Sequence, residues 1–113
     1  MADCIFCDMI ERKLPAKIVF EDETTVALED INPQAPVHLL VLPRKHLASL
    51  GEMKPADEAV VGHLMAVAAH LARERGLEAG YRTVINSGAG AGQSVFHLHA
   101  HLLAGRTFHW PPG

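Results

Sequence analysis

The sequence predicts an α+β fold: an antiparallel sheet of about five strands, one long helix and one short N-terminal helix. Apolar or alternating runs recur at residues 17–21, 25–29, 38–42, 82–86 and 95–104, and a three-residue turn separates the first two. Sustained helical periodicity belongs to one stretch, residues 55–75. Strands joined by hairpins around a single long helix favour an antiparallel sheet.

The short helix is expected over residues 4–13, where Ile5, Phe6, Met9 and Ile10 recur at helical spacing before Leu14-Pro15. Asp22-Glu23-Thr24 is the turn of a hairpin. Asp30 to Pro36 is a loop with two prolines. The run from His38 to Leu42 is almost wholly apolar, as in a central strand buried on both faces, and Pro43 stops it. Pro55, Asp57 and Glu58 suit the start of the long helix. Its stripe is Val60, Leu64, Val67, Ala68 and Leu71, and Gly76 ends it. Residues 87–94, SGAGAGQS, form a glycine-rich loop into the last strand.

The 113 residues fit one domain over 1–113, with a tail from about 105. With 49% apolar residues, a core forms without disulfides. A formal net charge of −3 and the lack of a basic block argue against a nucleic-acid surface, though not against a small nucleotide. No secretory leader or membrane-length apolar run is visible, so a cytoplasmic protein is expected.

Three of the eight histidines, His97, His99 and His101, alternate within HLHAHLL. On a strand they share one face, roughly 6.6 Å apart along the backbone, while Leu98, Ala100 and Leu102 share the other. A solvated strand face, a His-x-His zinc site and an imidazole nucleophile flanked by other imidazoles all fit that pattern. Gly88, Gly90 and Gly92 allow positive φ, and successive N–H groups of such a loop can cradle an anion. A phosphate beside the histidines is chemically sensible.

HLHAHLL, together with IFCDMI, LPAKIVFED, DINPQAPVHLLVLPRKH, GYRTVINSG and the terminal HWPPG, resembles the histidine triad (HIT) family, in its nucleotide-binding branch. The likeness spans almost the whole chain. It implies a homodimer that binds purine nucleoside monophosphates and hydrolyses their amides, such as adenosine phosphoramidate and lysyl-AMP. By that resemblance His99 is the nucleophile, forming a nucleotidyl-histidine that water cleaves. His101 bonds a phosphate oxygen, Ser94 sits near the leaving group, and His97 and His38 complete the catalytic set. Asp30 holds the ribose hydroxyls; Ile5, Phe6, Leu28 and Ile31 form the base slot. Asn86, Gly92, Gln93 and Val95 surround the phosphate, and Trp110 reaches the partner subunit's site. Relatives with Cys4, Cys7, His46 and His97 in these places bind structural zinc, which catalysis does not require.

Two departures touch the nucleoside end: Glu29 stands where relatives carry histidine or arginine, and Leu28 replaces phenylalanine. His63 and His70 are expected on a partly exposed helix face. A zinc hydrolase with His-x-His as its catalytic ligands, and a nucleotide- or partner-binding module with little turnover, are the rival functions.

Overall fold

A computed structural model describes residues 4–113. Helix α1 covers Ile5–Ile10, followed by strands β1 (Ile18–Glu21), β2 (Thr25–Glu29) and β3 (Val37–Pro43). Helix α2 covers Glu58–Glu74, and β4 (Arg82–Val84) and β5 (Ala100–Ala104) close the order. All five strands join one antiparallel sheet in the order β1-β2-β3-β5-β4. This is the expected α+β architecture.

Alternation along the strands divides the interior in two. Ala27, Leu39 and Val41 point to one face with Leu98, Ala100 and Leu102, against Leu64, Val67, Ala68 and Leu71 of α2. Val26, Leu28, Leu40 and Leu42 point to the other, where Cys4 and Phe6 cover them. β3 is buried on both faces, as its composition predicts.

The boundaries differ from expectation for local reasons. α1 stops at Ile10 because Arg12 takes a left-handed φ of 61°. The Arg12 and Lys13 N–H groups then bond back to the Met9 and Asp8 carbonyls, closing a Schellman turn upstream of the proline. A 3-10 turn at Pro55–Asp57 precedes α2, since the Asp57 side chain accepts the Lys54 N–H and pairs with Lys45. Val61, not Val60, packs against the core. Gly76, at φ 70°, ends α2 with the same turn as α1.

The largest difference is the last strand, which begins at Ala100 rather than Val95. The β3–β5 register pairs Val41 with Ala100. Continued by two residues it sets Leu98 opposite Pro43, which has no N–H to give. The Leu98 N–H goes instead to the Leu47 carbonyl at 2.6 Å. β4 is short as well: it ends at Val84, opposite His101, and Asn86 lies beyond the first residue of β5.

Candidate active site

Residues 97–101 keep alternating although only the last two belong to a strand. Leu98 and Ala100 enter the core under α2, while the three histidines face the other way, toward Phe6. His99 and His101 open into a pocket of about 340 Å³, within the range of small-molecule sites. Its walls are Ile5, Phe6 and Met9 of α1, Leu28 to Asn32 of the β2 end, His38 and Leu40 of β3, and Ser94-Val95.

His38 and His101 are diagonal neighbours on adjacent strands, since Leu40 faces His101 and His38 faces Leu103. Their rings meet, with His38 Nε2 2.9 Å from His101 Nδ1. The Gln34 backbone N–H donates to His38 Nδ1 at 3.0 Å, so neutral His38 carries its proton on Nε2. That proton is donated to His101 Nδ1, so neutral His101 carries its own on Nε2. Asp30 Oδ2 lies 3.3 Å from His38 Nε2, and its other oxygen accepts the Asn32 N–H at 2.8 Å. Burial lowers the His38 pKa, with Asp30 opposing. Burial also pushes His101 down to about 4, helped by His99 and His38. Both rings are therefore neutral at pH 7.

His99 has the opposite polarity. Its Nδ1 lies 2.6 Å from the His97 carbonyl and must donate to it, which leaves a lone pair on Nε2. A free imidazole nitrogen thus sits beside an imidazole N–H, in a pocket with a carboxylate at one rim and a hydroxyl at the other.

His97 faces elsewhere. It is fully buried, and its Nε2 donates to the Pro43 carbonyl at 2.8 Å, leaving Nδ1 as a lone pair. That atom lies 3.4 Å from Cys4 Sγ, 3.6 Å from Cys7 Sγ and 3.2 Å from His46 Nδ1, with Cys7 Sγ 3.4 Å from His46 Nδ1. Tetrahedral zinc, with bonds of about 2.3 Å to sulfur and about 2.0 Å to nitrogen, gives edges of about 3.3–3.8 Å. The donor set and its spacing fit that ion, with the Pro43 carbonyl as the outer support a ligating histidine needs. Without a cation, burial and the adjacent Cys4 push the Cys7 thiol up to about 11. Asp30, His38 and His101 form a second tight group of potential ligands. Here the tautomers argue against a metal, because Gln34 fixes the His38 proton on the nitrogen that would have to bind it.

Of the expected site residues, Ile5, Phe6, Leu28, Asp30, Ile31, His38, Ser94, Val95, His99 and His101 meet at the pocket. Asn86, Gly92, Gln93 and Trp110 do not line it. Gln93 is a loop brace: its oxygen accepts the Gly88 N–H, and its amide nitrogen donates to the Ala48 and Val95 carbonyls. Gly92 serves the same turn with φ 95°. Trp110 is 85% exposed on the tail. His97 belongs to the cysteine cluster rather than the pocket. Met9, Ala16, Asn32, Gln34 and Leu40 are pocket residues that sequence reasoning missed. Met9 and Leu40 carried a signal, on the apolar faces of α1 and β3.

The HIT domain model matches residues 11–108. The chain belongs to the HIT family. An "uncharacterized HIT-like protein" of Synechocystis is 50% identical over 111 residues, covering 98% of this HIT chain and 97% of its own. The crystal structure of a HIT family hydrolase from Legionella pneumophila superposes with a TM-score of 0.95 at 45% identity, covering 98% of this chain and all of that one. A histidine triad nucleotide-binding protein from Candida albicans gives 0.83 at 29% identity, over 96% and 83% of the two chains. This HIT chain therefore has the fold of a HIT family hydrolase, and its triad is His97, His99 and His101.

Proposed function

We propose that the protein is a hydrolase of nucleoside monophosphate amides, cleaving the P–N bond through a nucleotidylated His99. The observation that carries this reading is the free Nε2 of His99, fixed by the His97 carbonyl, beside the His101 Nε2–H. The Legionella hydrolase and the Candida nucleotide-binding protein support it by likeness.

The nucleoside lies along the apolar wall of Phe6, Leu28 and Leu40, with both ribose hydroxyls donating to Asp30. His99 Nε2 attacks phosphorus, forming an N–P bond as the P–N bond to the amine breaks. The ring then becomes cationic, and the His97 carbonyl already holds its Nδ1–H. His101 donates its Nε2–H to a phosphoryl oxygen. The departing nitrogen needs a proton: the Ser94 hydroxyl gives it one while taking another from solvent water, and the later attack of water on phosphorus returns a proton to solvent. Water then displaces the imidazole from phosphorus, releasing the monophosphate and restoring His99.

Zinc is part of the proposal as a structural ion held by Cys4, Cys7, His46 and His97. Bound there, it cross-links α1 to the sheet. All four positions are filled by protein, so it offers no open site for substrate. His97 and His99 also point their donor atoms at different partners, which disfavours catalytic zinc on His-x-His. The active form is a homodimer: among the described residues no strand pairs with the outer edge of β4, and exposed Trp110 and Ile31 are apolar groups a second copy would cover.

The test is steady-state release of AMP from adenosine phosphoramidate by the wild type and by His99→Ala, each with and without a chelator. Turnover that survives chelation and falls at least about a thousandfold in the variant is expected. Equal rates in the two proteins would sink the mechanism. Tight AMP binding with no turnover in either would leave a nucleotide-binding module.

A further inference from the structure

The cysteine–histidine cluster and the pocket share their supports. α1 has six residues, too few to hold itself together without packing. Cys4, its N-cap, and Cys7 face the cluster, and the Cys4 sulfur also accepts the Cys7 N–H at 3.3 Å. Ile5, Phe6 and Met9 of the same helix face the pocket. Phe6 stands edge-on to both sites, its ring centre 6.1 Å from that of His97 and 5.1 Å from that of His99. His97 makes the second link. Its Nδ1 faces the cysteines while its carbonyl holds the His99 Nδ1–H at 2.6 Å. A displacement of the His97 backbone moves the carbonyl that orients the His99 ring.

We propose that Cys4, Cys7, His46 and His97 are positioning residues for the nucleotide pocket. A soft divalent cation bound by them tightens nucleoside monophosphate binding, and the nucleotide tightens cation binding by the same factor. This rests on the nucleotide reading of the pocket given above. Without the cation, the cluster is a set of lone pairs and thiols joined by weak contacts to sulfur and one imidazole pair. α1 is then held by Phe6 and a few half-buried apolar side chains. With the cation, four bonds fix α1 against the turn that carries His46 and against His97. The core beneath α2 contains none of these residues. Losing the cation therefore loosens one wall of the pocket and leaves the sheet folded. Equal coupling in both directions is required by linkage. A support that merely raised global stability would not produce it.

The experiment uses the full chain, stripped by a chelator and then reloaded with zinc sulfate. Calorimetry gives the AMP dissociation constant of each form, and competition with a chromophoric chelator gives the zinc affinity with and without saturating AMP. AMP binding at least about fivefold weaker in the stripped protein is expected, with zinc binding tightened by AMP by the same factor. Trypsin should cut after Arg12 and Lys13 faster in the stripped form, while circular dichroism reports an intact sheet. Cys7→Ser should bind AMP like the stripped wild type and ignore added zinc. Equal AMP affinity in the two forms, with one equivalent of zinc bound, would overturn the coupling alone. Failure to take up zinc, or loss of the whole fold on stripping, would also overturn it. If neither form binds AMP, the nucleotide reading itself falls.

Discussion

His97, fully buried, and His101, half-buried, belong to the same motif, yet they keep their protons on Nε2 for different ends. His97 gives that proton to a main-chain carbonyl and turns its lone pair to two sulfurs. His101 turns its lone pair to His38 and its proton to the pocket. The difference has a measurable sign. Burial holds His101 near 4 against an ordinary 6.5, so between those values the unfolded chain binds a proton that the folded chain refuses. The folded state is at full advantage above pH 6.5 and loses it as the pH falls toward 4. Urea midpoints from pH 7 to 4.5 should fall in the wild type, and His101→Gln should flatten that fall; an unchanged slope would contradict the buried neutral ring. At this scale the motif was readable because alternation is a property of extended chain, paired or not. Asp30, Leu28 and Ser94 were pointed to by the family resemblance rather than by their own pattern, and all three line the pocket. The role of the Gln34 N–H was not, because a backbone donor looks the same in every sequence. Gln93 misled for a related reason: a polar side chain beside a glycine loop suits an anion or the loop's own main chain, and here the main chain takes both ends of its amide.

Elements were more legible in kind than in length. Among the described residues, sequence patterning located both α-helices and the five strands, though not the 3-10 turns at Leu50–Glu52 and Ala89–Ala91, and the element ends depend on partners distant in sequence. Pro43 truncates β5 across the sheet, and a left-handed Arg12 ends α1 before its proline. The junction after β5 is the most constrained of these ends. Gly105 has φ 94°, and a Cβ there would lie 2.8 Å from Pro36 Cβ. Gly105→Ala therefore combines backbone strain with a collision against a ring that cannot retreat. Destabilisation of about 2 kcal/mol or more is expected by chemical denaturation, and a loss below about 0.5 kcal/mol would show that the loop gives way. Gly76, whose added Cβ would meet nothing within 4 Å, supplies the control for the φ contribution alone.

At the scale of the molecule, the outer β4 edge and the exposed tail predict a second copy. Sedimentation should give twice the mass of one chain at the concentrations used for activity, and a monomer there would remove Trp110 from any role in a neighbouring pocket. No helix among the described residues is long and apolar enough to cross a membrane. The sheet order itself bears on how the protein is made. β5, last in the chain, lies between β3 and β4 and carries His101 against His38, 63 residues earlier. On the ribosome, β1, β2 and β3 emerge with one side of β3 bare, and α2 and β4 wait for a strand that has not yet emerged. The nascent chain thus holds an open, apolar sheet edge until residue 104 clears the exit tunnel, and pocket and core are completed in one closing event.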